Sequence, residues 1–129
     1  VVALCFILIA IPYAVQAHMF WLNVSDYTPE AGEPVFLEIG FGHQYPRDEI
    51  IKEGRVERVF AVDNYGKEFP VEQIFPSFYK FMPLGEGVYQ IIAVMKSGFV
   101  SKTTDGRKLG SKKDHANAVD CFAFRMTAK

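Results

Sequence analysis

Cysteine is scarce in this chain, with two in 129 residues. That excludes a disulfide-stapled scaffold. Charge of either sign is not in excess: 14 Lys and Arg face 15 Asp and Glu, for a formal net charge of −1. A basic nucleic-acid footprint is therefore absent. No apolar run reaches the roughly 20 residues of a membrane-spanning helix. The sequence also lacks GxSxG, a phosphate-binding glycine loop, HExxH and any Cys-x-x-Cys pair, so the signatures of hydrolases, nucleotide enzymes, zinc proteases and thiol redox proteins are missing. Leucine is thin too, with only four after residue 17, which argues against a helical bundle.

What is present is split unevenly. Residues 1–17 hold 15 apolar residues and no charge. Val1 to Ile11 is an unbroken apolar run, followed by Pro12, Tyr13 and then Val15-Gln16-Ala17. This is the hydrophobic region and small-residue cleavage site of a secretory leader. The expected location is the periplasm, with membrane contact only through the leader if it stays uncleaved. No initiating Met or basic flank precedes Val1, so the sequence reads as cut short at its start. Cleavage after Ala17 makes His18 the first residue of the exported domain, 18–129, and leaves Cys121 as its one thiol.

That domain is rich in strand formers. Val, Ile, Thr, Phe, Tyr and Trp number 37 of its 112 residues, 17 of them aromatic, which supplies a large core and excludes disorder. Strands are predicted over residues 18–24, 35–41, 55–62 and 67–74, with turns at Pro29–Pro34 and Asp63–Gly66. Phe75 to Met82, bracketed by Pro76 and Pro83, predicts an edge strand. Val88 to Lys96, apolar on both faces except Gln90 and Lys96, predicts a central one. Residues 99–103 extend it as a hairpin, 104–119 read as a long polar loop, and 120–129 alternate again. The chain stops inside that pattern, so the C-terminus also reads as truncated. About seven short strands with regular turns predict an all-β, immunoglobulin-like antiparallel β-sandwich.

Three histidines carry the candidate chemistry. An N-terminal His18 offers an α-amine and a ring nitrogen to one metal ion, and imidazole suits Ni, Cu, Zn and Co. His43 sits in Phe41-Gly-His-Gln-Tyr-Pro46, at a strand end fixed by Gly42 and Pro46. His115, in the polar loop, reads as a solvated residue unless the loop folds over the same end and supplies a third ligand. Asp48-Glu49 reads as a solvated pair, Met19 as core, and Cys121 as a buried filler. Lys102, Arg107, Lys108, Lys112 and Lys113 read as a solvated loop, and Phe75, Phe78, Tyr79 and Phe81 as packing residues.

The segments Ala17-His-Met-Phe-Trp-Leu22, Ala31-Gly-Glu-Pro-Val35, Gly42-His-Gln-Tyr-Pro46, Gly85-Glu-Gly-Val-Tyr89, Lys102-Thr-Thr-Asp-Gly106 and Gly110-Ser-Lys-Lys113 resemble an exported domain family assigned as the periplasmic component of nickel and cobalt uptake systems. The resemblance spans most of residues 17–129. It implies a secreted β-sandwich that binds a divalent transition metal, nickel or cobalt, and passes it to the subunits of a membrane metal-uptake transporter. His18 and His43 match the expected metal positions, and no third ligand is fixed by the motif, which leaves His115 as the candidate. The implied role is not enzymatic. Two other readings stay open: a copper protein, either chaperone or oxidative enzyme, built on an N-terminal histidine chelate, and a metal-free sandwich module that binds protein or sugar.

Overall fold

Alternation of apolar and polar residues drives the fold, since it leaves each strand one face to bury. The computed structural model describes residues 18–129; the expected leader, 1–17, lies outside the described residues. Eleven strands and no helix form among them: β1 (Met19–Val24), β2 (Val35–Gly42), β3 (Val56–Asp63), β4 (Glu68–Pro70), β5 (Glu72–Phe75), β6 (Phe78–Phe81), β7 (Tyr89–Met95), β8 (Gly98–Thr103), β9 (Gly106–Leu109), β10 (Ala118–Phe124) and β11 (Thr127–Ala128). They build an all-β, sandwich-like molecule of three sheets, ordered β1-β2-β6-β5, β11-β7-β3-β4 and β10-β8-β9. All pairings are antiparallel.

The core is made by the two four-stranded sheets. Val35, Leu37 and Ile39 of β2 and Tyr79 and Phe81 of β6 meet Ala61 of β3 and Ala93 and Met95 of β7, together with Ile51 from the connection between β2 and β3. Phe20, Leu22 and Val24, the even positions of β1, pack against this cluster. A side chain the size of Leu37, 1% exposed, gains about 1.5–3 kcal/mol from such burial.

The turns follow their chemistry. Between β3 and β4 the Asp63 carboxylate accepts from the Tyr65 and Lys67 amides, each at 2.9 Å, and Gly66 takes the positive φ of 83° that this turn requires. The expected central strand is β7, flanked by β11 and β3.

Several expectations need correction. Residues 98–103 do not extend β7 as a hairpin: β8 pairs with β9 and β10 in the third sheet, and residues 120–129 divide between β10 in that sheet and β11 beside β7. Met19 is exposed rather than core, because it falls on the face of β1 opposite Phe20 and Leu22. Phe78–Phe81 is not an edge strand: β6 lies between β2 and β5, because Pro76 and Pro83 fall outside it and remove no ladder donor. The expected strand over 67–74 is two strands. β4 pairs with β3 in one sheet and β5 with β6 in another, and the chain changes sheets at Val71, just after Pro70, which has no amide hydrogen to continue the ladder. Residues 104–119 are not all loop. Thr103 donates its hydroxyl to the Gly106 carbonyl (2.8 Å) and accepts from the Asp105 amide (3.2 Å), closing a tight turn that pairs β9 with β8. β9, Gly-Arg-Lys-Leu, is exposed along its whole length, so no apolar period marks it.

Candidate metal centre

Register places the first two histidines. The β1–β2 ladder pairs Val24 with Leu37 through to Met19 with Gly42, and His18 and His43 are the residues just beyond that last pair. Both rings come to the end of the face that carries Phe41, at the rim of the core. The rings meet accordingly. Their centroids are 4.3 Å apart, and the His18 ring stacks on Phe41 at 5.1 Å with 14° between planes. A diagonal cross-strand contact of this kind is what two aromatic rings at such positions can make.

The third member comes from the connection after β2. Glu49 forms an isolated antiparallel bridge with Phe41, its amide donating to the Phe41 carbonyl at 3.2 Å. Its side chain turns to the histidines. Glu49 Oε1 lies 2.7 Å from His18 Nε2, as a hydrogen bond from the imidazole N–H, and 3.9 Å from His43 Nδ1. One donor atom from each of His18, His43 and Glu49 falls within 4.8 Å of the others.

The loop carrying Glu49 is pinned at several points. The His43 amide donates to Asp48 Oδ1 at 2.7 Å, and this hydrogen bond is the main reason the Asp48 carboxyl is held below its ordinary range. The other Asp48 oxygen is 3.7 Å from His43 Nδ1. Trp21 Nε1 donates to the Pro46 carbonyl at 3.2 Å, and Arg47 pairs with Glu38 while its guanidinium lies over the Phe78 ring at 5.7 Å. Gly42 allows the tight return: its φ is 119°, and a Cβ there would overlap Asp48 Oδ1.

Two imidazoles and a carboxylate are borderline-to-hard donors that suit Co, Ni, Zn and Cu(II). Ligands at about 2.1 Å from an ion stand about 3–3.4 Å from one another in octahedral or tetrahedral geometry. The two separations to Glu49, 2.7 and 3.9 Å, straddle that spacing, and all three donors lie within 4.8 Å of one another. The side chains of His43, Glu49 and His18 are 27%, 43% and 47% exposed, free enough for small rotations to close the difference. The residues therefore fit such an ion.

His115 is placed elsewhere. Its Nε2 bonds the Leu109 carbonyl at 2.8 Å, bracing the turn between β9 and β10, and it is not in the group of His18, His43 and Glu49. The carboxylate that the third position does have, Glu49, falls in the pair read from sequence as a solvated loop. Its signal was its position: Pro46 turns the chain back, so the residues three and more beyond it return alongside the strand end that carries His43.

A family model described as a domain of unknown function, DUF4198, matches residues 15–129. The chain belongs to that family, whose match covers the two histidines and Glu49 together with every described strand. No curated protein and no solved structure matches the chain.

Proposed function

We propose that this protein is an exported, non-enzymatic binder of a divalent transition metal, nickel or cobalt, that serves a membrane metal-uptake transporter from the periplasm. The observation that carries the reading is the convergence of His18, His43 and Glu49 within 4.8 Å at one rim of the sandwich. His18 meets there two residues from the end of β2 and the loop after it, and the two histidines are those that the family resemblance singles out.

The character of the site fits a carrier better than a structural ion site. Structural sites are closed by four protein ligands, whereas three half-exposed donors leave coordination positions open. An ion so held can be loaded from solvent and taken up by ligands of a receiving protein. Nothing in the ligand set rejects copper, which ranks above nickel and cobalt for nitrogen donors, so supply and partner set the metal in this reading.

Calorimetric titration with Ni²⁺ and Co²⁺ tests it, using the chain that begins at His18 beside His18→Ala and His43→Ala. Stoichiometric binding by the parent, weakened about tenfold or more in each variant, is the expected result. Equal binding by all three would remove the site.

A second reading has one observation of its own. The His18 and His43 rings are 4.3 Å apart, and a free α-amine at His18 would make a three-nitrogen set suited to Cu(II). An electron paramagnetic resonance spectrum of the Cu²⁺-loaded protein with three nitrogen donors, and Cu²⁺ retained against excess Ni²⁺, favours it.

A further inference from the structure

We infer that the ion is held by Nε2 of His18, an imidazole nitrogen of His43 and a carboxylate oxygen of Glu49, with the α-amine of His18 taking no part; the site is then built by the β1–β2 ladder and exists whether or not the leader has been removed. The inference rests on the metal-binding reading above and decides how the site is made.

Chemistry of the imidazole separates two modes. A histidine that chelates through its own α-amine must use Nδ1, since the ring so formed closes through Cα, Cβ and Cγ. Nε2 lies on the far side of the imidazole and cannot reach the same ion as the amine. In the structure it is Nε2 of His18 that faces the other donors, 2.7 Å from Glu49 Oε1. One ring cannot offer both nitrogens to one ion, so the amine chelate and the Glu49-facing arrangement exclude each other.

Packing favours the second. The His18 ring lies nearly parallel to Phe41, at 14°. A half-turn about Cβ–Cγ keeps that stack but puts Cε1, a carbon, where Nε2 now meets the carboxylate, and the hydrogen bond is lost. The remaining members are fixed by backbone: His43 by its amide bond to Asp48, directly after the last ladder pair, and Glu49 by its bridge to Phe41. None of these constraints involves a chain terminus. A hard carboxylate in place of an amine also lowers affinity for soft Cu(I) while keeping Co(II), Ni(II) and Zn(II).

The core described above is built from residues within 18–129, so the test compares a chain beginning at His18 with one that retains Ala17, in which the His18 nitrogen is an amide. Glu49→Gln is made in both. Ni²⁺ calorimetry and the visible spectrum of bound Co²⁺ are read on all four, with circular dichroism to check the fold. Retaining Ala17 is expected to change Kd by less than about threefold and to leave the Co²⁺ spectrum unchanged, while Glu49→Gln raises Kd about tenfold or more. A tenfold or greater loss on retaining Ala17, or unchanged binding in Glu49→Gln, overturns the inference while metal binding stands. Absence of binding by the His18-first parent removes the metal-binding reading itself, and the inference with it.

Discussion

Replacing Gly42 with Ala tests whether the β2 rim and the Asp48 loop are one unit. Gly42 holds φ at 119°, a region that an L side chain enters only at a cost of roughly 1–3 kcal/mol. Added to this is a contact: the new Cβ overlaps Asp48 Oδ1, the atom that accepts the His43 amide. The carboxylate must move, and with it the loop that carries Glu49. Gly32 supplies the control, because its φ of 84° is also positive but nothing lies within 4 Å of a Cβ built there. Gly32→Ala should lose roughly 1–2 kcal/mol from backbone strain alone, about 4–8 °C in Tm for a domain of this size. Gly42→Ala should lose more, and it alone should weaken Ni²⁺ binding. Differential scanning calorimetry and metal titration on the two variants give both numbers. Equal Tm losses and equal metal affinities would refute the coupling between Asp48 and the rim.

Leu37→Ala, at a position 1% exposed, should lose about 2–5 kcal/mol in urea unfolding, whereas Leu84→Ala, 77% exposed, should stay within about 0.5 kcal/mol. Gly40→Ala should displace the indole of Trp21, which occupies the space a Cβ would take; Trp21 is the sole tryptophan, so its emission should shift to the red, and an unshifted spectrum would show that the ring does not lie there. Acid should destabilise through Asp48 and Asp114. The His43 amide holds the first below its ordinary range, and the Ser111 hydroxyl and amide hold the second. With folded values below unfolded ones, their stabilisation is present above about pH 4 and is lost as pH falls through the folded values. Asp48→Asn and Asp114→Asn should each flatten the fall in Tm between neutral and acid pH.

The fold was legible where a strand buries one face or two. Alternation at Val35 to Phe41 and the continuous apolar run at 88–96 mark β2 and β7, which carry much of the core. β9 left no trace because all four of its residues face solvent; what makes it a strand is the Thr103 to Gly106 turn, whose hydroxyl bonds act at short range and do not alter hydrophobic period. Prolines misled in the opposite direction. Pro76 and Pro83 bracket β6 without belonging to it, and a proline just outside a strand leaves all its ladder donors intact and says nothing about edge or centre. Pro70 carried the opposite information, marking the point where one apparent strand divides between two sheets.

The candidate site was legible only in its ladder half. His18 and His43 lie at the ends of two strands whose alternation is plain, so their approach depends on register alone, and the turn at Pro29–Pro34 makes antiparallel pairing of those strands the simplest connection. Glu49 depends on a loop that returns, and the residues that make it return do so by bonds no pattern encodes: an amide to Asp48, an indole to a carbonyl, an arginine to Glu38. Charge also misdirected the reading, since an Asp-Glu pair beside an arginine is what a solvated loop looks like. The distinction lies in what faces the carboxylates. Asp48 and Glu49 meet two imidazoles and a backbone amide while staying open to solvent, and a carboxylate so placed would limit which His18 nitrogen a bound ion could reach. In the proposed reading, the loop that carries Glu49 therefore bears on whether cleavage of the expected leader would create the site or leave it unchanged.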